Sequence, residues 1–193
     1  SEKLEDLIRL GLLDFMKVKG FKKTARSWHK KIGRDWFIVS IQSSSANLGS
    51  EGAFTINLGV YSAEVSLLAG QVPVTGKPKA YEATVRERVG SLAYGSDYWW
   101  KMDSRSGLGC LAQDVVSKMQ RYGIPCLESH RSISVIAGSL EKQPSLESFA
   151  AALLAGGEAQ AIARMKKAIA TRPRANAGYI AWADRVGLEH ELF

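Results

Sequence analysis

The sequence is poor in the residues on which catalytic and metal sites are commonly built. Among 193 residues there are two cysteines and three histidines. Cys110 and Cys126 show no CxxC spacing and no histidine pair lies near them, which argues against a zinc site and a disulfide framework. There is no GxSxG elbow, and no histidine stands beside an evident nucleophile. We therefore predict no catalytic residue, no metal and no cofactor, and the sequence leans away from an enzyme.

Long apolar runs are also missing. No uncharged stretch approaches the ~18 residues that are needed to span a bilayer. Acidic and basic residues interrupt the apolar positions near the N-terminus, so no signal peptide is predicted. Two cysteines without a disulfide pattern suit a reducing compartment. We expect a cytoplasmic protein that has no membrane partner.

The first part of the chain has the patterns of one helix followed by a sheet. Residues 2–18 carry apolar side chains at helical spacing, and Gly20 supplies a stop. Two β-type runs flank a turn that contains Gly33, which predicts a hairpin, and a cleanly alternating run follows. These three runs cover residues 24–31, 35–42 and 53–61, and further strands are expected within residues 81–94 and 98–102. Short links between successive strands favour an antiparallel meander.

Helical patterns dominate the second part of the chain. Apolar residues at helical spacing predict a helix over residues 108–122 that ends at Gly123 and Pro125. Residues 127–142 fit either a strand or a helix, and we favour a helix. Further helices are expected over residues 145–155, with Ser145 as N-cap, and over residues 158–171 and 177–186. The fold class is therefore α+β, as a single domain of residues 1–193 in which helix and sheet (1–104) precede a mostly helical extension (105–193).

Positive charge is concentrated in one segment. The net charge is +7, and residues 17–34 hold eight basic residues and no acidic one, so that the rest of the chain carries −1. Such a segment suits either an acidic patch on a protein or a nucleic acid. The candidate contacts are Lys22, Lys23, Arg26, Trp28 and Lys30.

Two readings of this basic segment stay open. Phe21, Trp28, Trp36 and Phe37 interleave with its charges, as a binder of single-stranded nucleic acid would require for base stacking. Alternatively, the lysines protect the exposed edge of a sheet from pairing with other chains. If the strand is regular, Lys23 and His29 share one side and Arg26 and Trp28 the other, so the charges form no single stripe.

A second candidate surface is the uncharged polar side of the meander. Gln42, Thr55 and Asn57 should project away from the apolar side, and Arg88 with one of the paired tryptophans, Trp99 or Trp100, could join them. Because neighbouring residues on a strand alternate faces, we expect one tryptophan in the core and the other half-exposed. These groups either line a pocket or contact patch, or satisfy one another and the nearby loops.

Residues 107–112 fit the pattern GxGxxA before a helix. A dinucleotide site needs this pattern inside a parallel βαβ unit, whereas the preceding strands are predicted to be antiparallel. We expect these glycines to shape the start of a helix.

Three stretches in fixed order carry a family resemblance: GFKKTARSWHK, WFIVSIQSSSANLGSEGAFTINLGVYS and RERVGSLAYGSDYWW. Over roughly residues 4–125 the chain resembles the bacterial family catalogued as domain of unknown function 4304. The resemblance implies no settled activity and no catalytic residue, although some members look like toxin-neutralising or defence-associated proteins. The positions that match it are Phe21, Lys22, Gln42, Ser43, Phe54, Thr55, Asn57, Gly59, Arg88, Trp99 and Trp100.

These patterns together predict a non-enzymatic binding protein whose sheet surface engages the acidic patch of a protein partner, with toxin neutralisation or defence as the specific role. The alternative is a nucleic-acid-binding protein that uses residues 17–34. A third possibility is an enzyme with a pocket beneath Arg88 and Trp99. The predicted binding surface consists of Lys22, Lys23, Arg26, Trp28, Lys30, Gln42, Thr55, Asn57, Arg88, Trp99 and Trp100.

Overall fold

A computed structural model of the chain describes residues 2–44, 52–102 and 107–188. An N-terminal helix, an antiparallel sheet and a helical second half confirm the predicted α+β class. The chain divides into two compact units, one of residues 1–61 with 77–128 and one of residues 62–76 with 129–193. That the whole chain forms one domain stays a prediction.

The first unit contains a six-stranded antiparallel sheet. Its strands are β1 (Lys22–Thr24), β2 (Ser27–Ile32), β3 (Asp35–Ser43), β4 (Gly52–Tyr61), β5 (Val85–Arg88) and β6 (Trp100–Met102). Strands β1 to β5 follow one another in an antiparallel meander, as the sequence predicts. Both β5 and β6 pair with β4, β5 near one end of that strand and β6 near the other.

The predicted strand over residues 24–31 is replaced by a turn and two strands. Ala25 has a φ of 52°, in the left-handed region, and Thr24 lies opposite Ser27 across the turn. The turn shifts the register, so that Lys23 faces the same side as Trp28, while Lys22 shares the other side with His29. The expectation that Lys23 and His29 share a side is therefore wrong, because it assumed an unbroken strand.

One face of the sheet is buried beneath two helices. It carries apolar residues from β2, β3, β4 and β6, among them Trp28, Phe37, Val39, Phe54, Ile56 and Trp100. Side chains on this face bond to both helices: Arg26 donates to Glu5 in the N-terminal helix, and Trp100 donates to Asp114 in the helix of residues 108–129. These contacts place the core of the first unit between the sheet and the two helices.

Both of these helices contain a π-helical turn. The N-terminal helix spans residues 2–18 with a π-turn over Ile8–Leu12, and the other helix spans residues 108–129 with a π-turn over Met119–Gly123. The prediction that Gly123 and Pro125 end the second helix is wrong. Ile124 N–H donates to the carbonyl of Met119, five residues back, so the wider turn carries the helix past a proline that has no N–H to donate.

All of the regular secondary structure described in the second unit is helical. Its helices are Ala63–Leu68, Ile133–Ser139, Leu146–Gly156, Glu158–Thr171 and Asn176–Val186. The helix at Ile133–Ser139 confirms the preference for helix over strand there, and Ser145 caps the next helix as predicted, accepting from Ser148 N–H at 3.2 Å. The short helix Ala63–Leu68 was not predicted. Trp182 and Arg185 donate to the carbonyl of Leu68 at its end, at 2.8 and 3.0 Å.

Candidate functional site

The face of the sheet opposite the core is partly covered by a loop of residues 77–83, called here the strap. His29 Nε2–H donates to the carbonyl of Pro78 at 3.0 Å, and Lys77 Nζ donates to Thr24 Oγ1 at 2.8 Å. A Cβ placed on Gly59 would lie 2.9 Å from Cβ of Ala83, so the strap sits directly on β4. The strap covers the part of this face that holds His29 and Gly59.

Beyond the strap, polar side chains on three strands form a connected chain. Asn57 Nδ2 donates to Gln42 Oε1 at 3.1 Å, and Arg88 Nε donates to Asn57 Oδ1 at 3.2 Å. Arg88 Nη1 then pairs with Asp97 Oδ1 at 2.5 Å, and Trp99 Nε1 donates to the other carboxylate oxygen at 3.2 Å. Three of the predicted residues on this face, together with Trp99, are thus brought together, and they also satisfy one another.

Charge and ring contacts fix the position of the Arg88 guanidinium. Its carbon lies 5.4 Å from the centroid of the Trp99 ring, a cation–π distance. The hydrogen bonds from Arg88 and Trp99 hold the pKa of the exposed Asp97 carboxyl below its usual range. The arginine is therefore held by a carboxylate, an amide and an aromatic ring.

An open cleft of about 520 Å³ lies beside this polar chain. Arg86 is exposed there and pairs with no other residue in the part of the chain that the structure describes. A volume of this size falls within the range of roughly 300–1,000 Å³ typical of ligand sites. The cleft is lined by Gln42, Asn57, Leu58, Ala80, Tyr81, Arg86, Glu87, Arg88 and Ser91.

Asp97, Arg86 and Tyr81 are among the residues of this site that were not found from the sequence. Asp97 pairs with Arg88, and Arg86 and Tyr81 line the cleft. A signal for Asp97 was present, because it lies two residues before Trp99 in the family-like stretch. Tyr81 lies in the strap, and only the tertiary structure places that loop over the sheet.

Three predicted surface residues are buried and do not belong to an exposed surface. Thr55 is fully buried and donates to the carbonyl of Tyr98 at 3.2 Å. Trp100 stacks on Phe54 with 5.7 Å between ring centroids, and its Nε1 donates to Asp114 at 2.9 Å. The two tryptophans are divided as expected, with Trp100 in the core and Trp99 half-buried. Trp28 is the third buried residue, at 1% exposure.

The basic segment is less available than its sequence indicates. Arg26 pairs with Glu5 at 2.9 Å, which lowers the pKa of that carboxyl, and Lys30 pairs with Glu128 at 3.3 Å. Lys22 and Lys23 are exposed but point to opposite sides of the ribbon. Of the five candidate contacts predicted in this segment, only Lys22 and Lys23 are exposed, and they do not share a face.

None of the residues that line the cleft beside the polar chain is a cysteine or a histidine. Burial raises the pKa of the Cys126 thiol to about 11, so at neutral pH it is not a thiolate. His29 bonds to a backbone carbonyl, and His130 Nε2 lies 2.8 Å from Ser139 Oγ. In the described ranges no three His, Cys, Asp or Glu side chains are placed to hold a metal ion.

None of the helices in the described ranges is long and apolar enough to cross a bilayer.

The cleft lies within a region that matches a known family. The family described as a domain of unknown function (DUF4304) matches residues 12–129. The chain belongs to the DUF4304 family. The match contains all six strands, the strap and every residue of the polar chain, and it confirms the resemblance seen in the sequence. Neither the curated proteins nor the solved structures give a match to this DUF4304 chain.

Proposed function

We propose that this DUF4304 protein is a non-enzymatic binding protein whose cleft, beside the polar chain, engages an acidic segment of a protein partner. The observation that carries the proposal is the exposed Arg86 next to an Arg88 that is already fixed in place. Together they put two guanidinium groups at one open cleft, and guanidinium is the group best suited to carboxylate recognition.

The polar chain lowers the cost of binding because it is ordered beforehand. Arg88 is held by Asn57 and Asp97, so little side-chain entropy is lost when a partner docks. Gln42 and Asn57 add amide donors and acceptors that suit the backbone of an extended segment. Exposed charge of this kind chiefly raises the association rate and the selectivity of a complex.

Toxin neutralisation or defence in the cytoplasm is the specific role that we propose. Such a role needs a surface that recognises one protein and needs no catalytic group. It is supported by the preformed cleft. A cleft of about 520 Å³ beside Arg88 also leaves a small-molecule enzyme as a further candidate, which a bound small molecule in the purified protein would favour.

The test compares two exposed arginines. We expect the wild-type chain to capture one defined partner, and Arg86→Gln to weaken the purified complex roughly tenfold, mainly through a slower association rate. Arg34→Gln removes another exposed cation at the turn between β2 and β3, outside the cleft, and should leave the affinity unchanged. Surface plasmon resonance at two salt concentrations measures both variants, and thermal unfolding checks that each is folded. Equal weakening by both substitutions would show that the cleft is not the contact.

Nucleic-acid binding through residues 17–34 remains the second proposal. The exposed Lys22, Lys23 and Lys31 support it, whereas the burial of Phe21, Trp28 and Phe37 removes three of the four rings that were expected to stack on bases.

A further inference from the structure

The second unit contains a small cleft of about 140 Å³. Most of the charged residues that line it are basic. It is formed by the turn before helix Leu146–Gly156 and by the helix Glu158–Thr171. Its charged lining residues are Lys142, Arg164, Lys167 and Glu141, three cations against one acid. An excess of positive charge around a concave space raises the local concentration of anions.

Arg164 is the fixed element of this cleft. Its Nη1 donates to the carbonyl of Ser148 at 3.2 Å and to Ser148 Oγ at 3.1 Å. Ser148 is itself 1% exposed, and its hydroxyl donates to the carbonyl of Leu140 at 2.8 Å. The guanidinium is thus positioned by a buried serine whose own hydrogen bond is satisfied.

The oxygens that hold Arg164 are neutral. None of the ion pairs among the described residues involves Arg164, Lys142 or Lys167. Burial lowers the pKa of Arg164, and the nearby charge of Glu141 acts in the opposite direction. A half-buried guanidinium without a paired anion is stabilised by any anion that enters the cleft, because the other N–H donors of the planar group remain available.

The size of the cleft restricts the ligand. At roughly 30 Å³ for each water molecule it holds about four or five waters, and it is smaller than the roughly 300 Å³ at which ordinary ligand sites begin. One tetrahedral oxyanion fits this space, whereas a whole nucleotide or a peptide segment does not.

We propose that this cleft binds a single phosphate group, with Arg164 donating to its oxygens and Lys142 and Lys167 supplying charge from the rim. The phosphate is either the free ion or one end of a larger molecule that extends into solvent. The site is separate from the cleft of the first unit and does not depend on the function proposed for it.

The experiment is a titration of the full chain with inorganic phosphate that is monitored by ¹H–¹⁵N NMR. A titration with sodium chloride at equal ionic strength is the control. We expect saturable shifts confined to the amides of residues 141–149 and 164–171. Lys167→Gln should weaken binding a few-fold, and Arg164→Gln roughly tenfold, as the loss of a charge-assisted hydrogen bond implies. Lys166→Gln is the matched control, because Lys166 is exposed on the same helix but does not line the cleft.

Lys167 is exposed, so its substitution keeps the test valid if Arg164→Gln fails to fold. Shifts that do not saturate, or an equal loss with Lys166→Gln and Lys167→Gln, would overturn the proposal. Phenyl phosphate separates the two sources: binding as tight as that of inorganic phosphate supports a larger phosphorylated ligand, and exclusion supports the free ion.

Discussion

Trp28 and His29 are neighbours in β2 but face opposite sides of the sheet, and each keeps one buried ring nitrogen without a hydrogen-bond partner among the described residues. For Trp28 this nitrogen is Nε1, and for His29 it is Nδ1. A buried polar atom without a partner costs roughly 1–3 kcal/mol. His29 also donates a hydrogen bond to Pro78 in the strap, so its protonation state affects a contact of that loop.

We predict that acid destabilises the folded chain through His29, because protonation places a positive charge on a buried ring. Burial is the main cause that lowers the pKa of this imidazole from its ordinary value of 6.5; the hydrogen bond to Pro78 acts in the opposite direction, and the charge of Lys77 lowers the pKa further. Above pH 6.5 the ring is neutral in both the folded and the unfolded chain. Below that value the unfolded chain takes up the proton first, so the free energy of unfolding falls as the pH is lowered towards the folded-state pKa. Urea unfolding at pH 7 and at pH 5 measures this loss.

His29→Gln is the control for this prediction. Glutamine keeps an amide donor that can reach the Pro78 carbonyl but does not titrate. The variant should lose less stability than wild type between pH 7 and pH 5. The carboxyls of Glu5 and Asp97, whose pKa values are lowered by their partners, lose their contribution only in more acidic solution. Identical pH profiles for the two proteins would refute the role of His29.

Among the secondary-structure elements, the close approach of two helices depends on one glycine. A Cβ on Gly11 would lie 3.0 Å from Val116 Cγ2 and 3.2 Å from the carbonyl oxygen of Ala112. Gly11 lies in the π-turn of the N-terminal helix, and both neighbours lie in the helix of residues 108–129. The absence of a side chain there lets the two helices pack together.

We predict that Gly11→Ala destabilises the protein by about 1–3 kcal/mol, because the added methyl group overpacks this contact. Gly109→Ala is the matched control: its Cβ would meet nothing within 4 Å, and alanine favours a helix over glycine by up to about 1 kcal/mol. Chemical denaturation should therefore move the unfolding midpoint down for the first variant and leave it unchanged or move it up for the second. Equal midpoints would contradict the close approach of the two helices at Gly11.

Two secondary-structure elements were predicted incorrectly from the sequence, and each error has a local cause. Alanine at position 25 gives no turn signal, yet Ala25 adopts the left-handed conformation that divides the predicted strand. Pro125 is an ordinary signal for a helix end, and a π-turn carries the helix past it. In both places the contacts of the folded unit outweigh the local preference of the residue.

At the scale of the molecule, ion pairs and strand geometry reduce the concentration of available positive charge that the sequence indicates. Of the basic residues in the segment, Arg26 and Lys30 are paired with acids from distant parts of the chain, and Lys22 and Lys23 face opposite sides. A net charge of +7 nevertheless attracts polyanions from solution.

We therefore predict that nucleic acid binds only through this general charge. Retention of single-stranded RNA should be lost steeply as salt rises, and substitution of Lys22, Lys23 and Lys31 by Gln should reduce it further. Trp36→Leu should leave retention unchanged, because stacking contributes nothing; fluorescence anisotropy across a salt series measures each effect. Strong binding at physiological salt that depends on Trp36 would instead establish nucleic-acid recognition as the function.

The sequence by itself determined the α+β class, the order of the meander and which side of β4 is apolar, because hydrophobic periodicity is a local property that burial enforces. It also predicted that Gln42, Asn57 and Arg88 lie on one face of the sheet, because side chains alternate between the two faces along a strand. Only the tertiary structure decided that the strap covers part of that face, that Asp97 completes the polar chain, and that Arg26 and Lys30 are neutralised. These outcomes depend on contacts between residues far apart in the chain, which no local pattern encodes.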